Sequence, residues 1–180
     1  MLKRADYVAA QHRATAMIKK AGICVTDAET QKVEVADFGL GQLNVEGAQI
    51  LTFVATDRIA VKVVALFPNQ TLPEHWHPRV GDDPGKEETV RVVWGTLRLY
   101  TPGDESICEG FIPAGKENAY TARHELILNP GEQMTLEPGT RHWFQAGGKG
   151  AVLYSFSTVA RDVLDAFTDP NIERVTRIQD

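Results

Sequence analysis

Three of the five histidines stand in company that suggests chemistry. His75 and His77 form a His-x-His pair within Glu-His-Trp-His-Pro, and the alternation of a strand would bring both imidazoles to one face. Glu88 follows in Gly-Lys-Glu-Glu-Thr at the head of an apolar run, and His142 comes later in Pro-Gly-Thr-Arg-His-Trp, directly after a turn signal. Three neutral imidazoles and one carboxylate make a ligand set for a divalent transition metal: Mn, Fe, Co, Ni or Zn. With no thiolate the set does not resemble a structural zinc site, and coordination positions left open to water or substrate would make it catalytic. A His-x-His alone is often only two surface histidines; the combination carries the reading.

Such a set needs strands to hold it. Apolar runs of strand length lie at residues 33–38, 49–56, 59–67, 89–100, 124–128, 133–136 and 152–158. Turn signals built on Pro or Gly separate them at 67–70, 100–104, 129–132 and 137–140. This pattern predicts an antiparallel sandwich or barrel rather than alternating strand and helix units. One long helix is expected over about 6–21, ending at Gly22. The 180 residues suit a single domain, with a barrel over about 33–159 and an acidic, irregular segment from about 160 to 180.

Composition excludes some classes of partner. A formal charge of -5 offers no broad cationic field for nucleic acid or an anionic membrane. Cys24 and Cys108 are expected as reduced thiols. The N-terminal residues carry charges at close intervals and have no apolar stretch of signal-peptide length, which predicts a cytoplasmic protein.

The His-x-His, the Glu at the head of the next strand and the His after a Pro-Gly turn resemble the two motifs of the cupin superfamily. Residues 78–87 separate His77 from Glu88, wider than in most cupins; sugar-isomerase cupins share this spacing. With Thr-Leu-Pro-Glu-His-Trp-His-Pro at 71–78, Gly-Lys-Glu-Glu-Thr at 85–89, the strand at 91–100 and Phe-Thr-Asp-Pro-Asn-Ile-Glu-Arg at 167–174, the chain from Lys62 onward resembles D-lyxose ketol-isomerases. The resemblance implies an all-β fold, a double-stranded β-helix or jelly roll with the metal, usually Mn2+, inside one mouth. It also implies a homodimer that interconverts D-lyxose with D-xylulose, and D-mannose with D-fructose as larger substrates.

Aldose-ketose conversion moves a hydrogen between C2 and C1 while carbonyl and hydroxyl exchange places. That requires an electrophile at O1 and O2, a base at the carbons and a shuttle for the hydroxyl proton. Alternation from Glu88 puts Lys86 on the metal-facing side and Glu87 away from it; a solvated loop lysine is the competing reading. A dication nearby would lower the proton affinity of Lys86 and favour shuttling. Lys62, alone in an apolar run, is at a barrel mouth or on a solvent face; the resemblance favours the mouth and a substrate-binding role. Asp162, Asp165, Asp169 and Glu173 crowd the last segment. If that segment covers the mouth, Asp162 or Asp165 is the expected base, and Arg174 would hold a sugar hydroxyl or pair with one of the acids. Trp76, Trp94 and Trp143 are expected to pack the barrel rather than wall the site, and His12 and His124 to be structural or exposed. Two other readings accept the same ligands: a cupin dioxygenase, which needs an apolar mouth, and a non-catalytic sugar-binding cupin.

Overall fold

The computed structural model describes residues 1–180. In chain order, strand β1 (Leu2–Lys3) leads into helix α1 (Arg4–Lys20) and the single turn α2 (Asp27–Thr30). Strands β2 (Glu34–Ala36), β3 (Ala48–Ala55), β4 (Ile59–Leu66), β5 (Thr71–Trp76) and β6 (Glu88–Thr101) follow. After them come β7 (His124–Leu128), β8 (Gln133–Leu136), β9 (His142–Thr158), β10 (Ala166–Phe167) and β11 (Ile178–Gln179). No helix is long and apolar enough to cross a membrane.

Two long strands organise the barrel. β6 and β9 pair antiparallel from Glu88↔Ser157 to Tyr100↔Trp143, with irregular register around Gly95. There the backbone turns from one layer into the other. Gly95 has φ 77°, and a Cβ on it would lie 2.0 Å from the Gly150 carbonyl, so only glycine allows this crossing. Beyond the bend each half of a long strand meets different neighbours. The Glu88 end of β6 pairs with β8 and its Tyr100 end with β7. The C-terminal half of β9 pairs with β4, and its His142 end with β5. β3 and β2 extend beyond β4, and β10 beyond β5. The result is the all-β jelly roll with an N-terminal helix that the sequence predicts.

The layer of β2, β3 and β4 is covered on both faces. Val64, Leu66, Leu72, Val90, Leu97, Phe144 and Leu153 fill the barrel interior. Val63, Ala65, Phe67 and Val152 meet Ala10, Ala14 and Ile18 of α1 on the outside. Burial on both faces explains why β4 reads as an almost unbroken apolar run instead of alternating. It also fixes Lys62, which shares its face with Val64 and Leu66 and points inward.

One expectation needs amendment. The strand predicted over 152–158 begins at His142, because glycines and polar residues at 145–150 hide a segment held by cross-strand pairing. The final segment has no α-helix. A 3-10 turn at Asp162–Leu164 precedes β10, and the chain runs back to pair β11 in parallel with β1.

Candidate metal centre and active site

His75 lies on β5 directly opposite His142, the first residue of β9, and opposite Phe167 of β10 on its other side. His77 follows the end of β5, and Glu88 opens β6. One ligand atom from each of the four falls within 4.8 Å of the others, and all four residues are buried. The chain must return from His77 to Glu88 within residues 78–87, and Gly85 makes this possible. Its φ is 109°, and a Cβ would lie 2.4 Å from the His77 carbonyl, so the loop packs onto the His-x-His backbone only with glycine there.

The imidazoles are oriented from behind. His75 Nδ1 faces the Pro73 carbonyl at 2.9 Å, His142 Nδ1 the Thr140 carbonyl at 2.8 Å, and His77 Nδ1 an Asp165 carboxylate oxygen at 2.9 Å. These partners only accept, so each Nδ1 carries the proton; His75 and His142 then present a lone pair on Nε2, while His77 Nε2 is within hydrogen-bond distance of Glu88 Oε2. Glu88 Oε1 accepts from the Ser155 hydroxyl. Its Oε2 stands 3.0 Å from His77 Nε2 and 3.9 Å from His142 Nε2. His142 Nε2, fully buried, has no hydrogen-bond partner. A buried imidazole nitrogen left without a partner beside an ionised carboxylate, with two further imidazoles within reach, is a donor set that fits a divalent ion with its outer contacts in place.

Electrostatics agree. Burial, then the neighbouring imidazoles His142 and His77, holds His75 well below its usual value, and burial pushes His142 down to about 4. Both imidazoles are neutral at pH 7. Burial also opposes charge on His77, but the Asp165 and Glu88 carboxylates outweigh it and raise that ring. Burial disfavours the Glu88 carboxylate, yet Lys86 and then His77 keep it ionised well below the ordinary range.

A cavity opens beside His75 and Glu88. Phe38, Leu72, Phe144 and Phe167 form part of an apolar wall; Lys62, Lys86, Asp162, Asp165 and Arg174 form the polar one. Lys86 Nζ lies 3.8 Å from Glu88 Oε2 and 3.5 Å from Asp162 Oδ1. Lys62 bonds Asp162 Oδ2, and Arg174 stands 3.7 Å from the same oxygen while pairing with Glu34. Burial raises the Asp162 pKa, but Lys62 and Lys86 overcome it and keep the group ionised. Asp162 Oδ1 is buried and accepts no hydrogen bond.

All nine residues singled out from the sequence therefore border one region. Glu87 is exposed and turned away from it. Asp169 and Glu173 lie outside, on Lys116 and Arg177. Trp143 stacks on Tyr100, Trp94 meets Lys20 and Trp76 lies under Arg141, so packing accounts for all three. In this structure Lys86 is raised, because Glu88, Asp165 and Asp162 outweigh its burial. Sequence reasoning missed Ser155, although a serine on the Leu153 face of an apolar strand was a usable signal. It also missed Phe38 and Phe167, which nothing local distinguishes from packing.

A jelly roll that carries three histidines and a glutamate at one mouth, beside a charged cavity, defines a metal-site cupin. The D-lyxose isomerase family model matches residues 25–180. A D-lyxose ketol-isomerase from Cohnella laeviribosi is 49% identical, with 99% of this chain and 98% of the relative covered. A D-lyxose/D-mannose isomerase from Thermosediminibacter oceani is 47% identical over 100% of both chains. The chain belongs to the D-lyxose isomerase family and is an isomerase. Among solved structures, L-ribose isomerase from Cellulomonas parahominis superposes with a TM-score of 0.80 at 16% identity, over 99% of this chain and 98% of that one. That of Acinetobacter sp. DL28 in complex with L-ribose gives 0.81 at 16% identity over the same shares. At this identity the likeness speaks for the fold.

Proposed function

We propose that the protein interconverts D-lyxose and D-xylulose, and D-mannose and D-fructose as larger substrates, by proton transfer between C1 and C2. His75, His77, Glu88 and His142 would hold the metal, Mn2+ in this reading with Zn, Fe, Co or Ni as substitutes. When bound, the ion would supply a Lewis acid for the oxygens on C1 and C2.

The observation that carries the mechanism is Oδ1 of Asp162, a buried oxygen of an ionised carboxylate that accepts no hydrogen bond and has the Lys86 ammonium 3.5 Å away. Asp162 takes the proton from one carbon and returns it to the next. Lys62 and Arg174, on its other oxygen, keep it charged and aimed, and their remaining N–H groups bind sugar hydroxyls. Lys86 stands between Asp162 and Glu88, where its ammonium stabilises the negative charge that develops and relays the hydroxyl proton. Asp165 acts through His77 by fixing its tautomer and direction.

Six charged side chains line the cavity, which disfavours a cupin dioxygenase and suits a polyhydroxylated substrate. The protein is read as a cytoplasmic unit of one domain, and the resemblance makes it a homodimer. The test is incubation of Mn-loaded protein with a panel of free and phosphorylated aldoses, followed by product identification. D-Xylulose from D-lyxose is the expected product. A fully loaded protein that converts no aldose overturns the proposal and leaves a sugar-binding cupin.

A further inference from the structure

The turn Asp37-Phe38-Gly39-Leu40 enters the loop between β2 and β3. It closes with the Leu40 amide donating to the Asp37 carbonyl at 3.0 Å. Phe38 has φ 52° and Gly39 φ 72°, the left-handed pair of a type I′ turn, whose first central position is ordinarily Asn or Asp. A bulky side chain is rare there, and such strain persists only where surrounding contacts enforce it. Here they do. The Asp37 carboxylate accepts from the Gly39 amide at 3.1 Å, and the Phe38 carbonyl accepts from the Glu173 amide at 2.9 Å. Asp37 N donates to Thr176 Oγ1 at 3.1 Å. The C-terminal segment that carries Asp162 and Arg174 thus also locks Phe38 into the cavity wall.

The position of the ring gives it a meaning. Phe167 lies 5.8 Å from the His75 ring and 5.6 Å from the Phe38 ring, centroid to centroid. Both line the cavity. C1 and C2 of a reacting sugar must lie at the ligand end, so the rest of its chain runs past Phe167 toward Phe38. Resting on the isomerase reading, we propose that Phe38 is a specificity-determining residue: its ring closes the far end of the cavity and sets how many carbons beyond C2 are accepted.

The test compares kcat/KM of the metal-loaded full-length protein on D-lyxose, an aldopentose, and D-mannose, an aldohexose. Phe38→Gly removes the ring and suits the left-handed backbone; it is expected to raise the hexose-to-pentose ratio about tenfold, the scale of one carbon in a closed pocket. Phe38→Leu, which keeps an apolar side chain in the core, is expected to raise it by a smaller factor and decides the matter if the glycine variant does not fold. A merely structural Phe38 would change both sugars alike, so an unchanged or lowered ratio overturns the inference. Wild-type protein that converts neither sugar with its metal site full overturns the isomerase reading instead, which separates the two failures.

Discussion

Asp162 and Asp169 belong to the same C-terminal segment, and each is held by a lysine, yet their oxygens are treated differently. Asp169 gives Oδ2 to Lys116 and Oδ1 to the backbone and side-chain amides of Asn171, at 2.9 and 2.8 Å. Lys116 also lies 3.5 Å from Glu46, whose other oxygen accepts from the Tyr120 hydroxyl at 2.6 Å. Every group in that cluster is engaged, as buried polar groups in a structural network should be. Asp162, which lines the cavity, concentrates Lys62 and Arg174 on Oδ2, and its Oδ1 accepts no hydrogen bond, with Lys86 3.5 Å away as an ion-pair partner. A satisfied carboxylate fixes the chain; one with an oxygen left out of the hydrogen-bond network has a lone pair to offer, which is the role proposed for Asp162.

The largest effects should come from the ligands that give that oxygen its purpose. His77→Ala or Glu88→Ala is expected to abolish metal retention and turnover while the far-ultraviolet circular dichroism of the barrel persists. Metal analysis beside activity checks this, and a variant keeping both at wild-type level removes that residue from the ligand set. Next comes Asp162→Asn, expected to lower kcat by about 10²–10⁴-fold, the range for a lost general base, with metal content unchanged. Should Asp162→Asn turn over normally, the contrast with Asp169 has no catalytic meaning.

Asp165→Asn should act differently, because Asp165 touches a ligand rather than the reacting carbons. Losing the carboxylate behind His77 is expected to weaken metal affinity by about 10–100-fold. Excess metal should restore much of the activity, as metal titration of the rate will reveal. A fall in kcat that no metal concentration repairs would make Asp165 the base and Asp162 the support.

Much of this site was legible because ligand chemistry is local. His75, His77, Glu88 and His142 each stand in a short string with its own turn or strand signal, and alternation from Glu88 was enough to aim Lys86 inward. Lys62 was not legible from pattern, since α1 covers the outer face of β4 and erases the alternation that would have shown its direction. The division of labour proposed for Asp162 and Asp165 was hidden for another reason. It depends on where a segment with little regular structure crosses the mouth, which is fixed by pairing of β10 with β5, by Arg161 on Asp83 at 2.7 Å and by β11 on β1. The first half of β9 stayed hidden because its partners, not its composition, make it a strand.

The smallest effect belongs to Asp169, and it sharpens the contrast most directly. Asp169→Asn should leave kcat/KM within about a factor of three while lowering stability by roughly 1 kcal/mol at pH 7, the scale of a charge-assisted hydrogen bond partly retained by the amide. For a chain of this length that is a Tm decrease of about 2–4 °C. Burial opposes ionisation of Asp169, but the Lys116 hydrogen bond and the Asn171 amide outweigh it and lower its pKa in the folded state. A group lowered in this way contributes stability above its unfolded pKa, near 3.9, and loses it as pH falls through the folded value. The gap in Tm between wild type and Asp169→Asn should therefore be constant near neutrality and close below about pH 4. If the gap stays open there, the ion pair is not its source. If Asp169→Asn instead reduces kcat as Asp162→Asn does, the segment works as a single positioned unit, and Oδ1 of Asp162 is not what separates catalysis from structure.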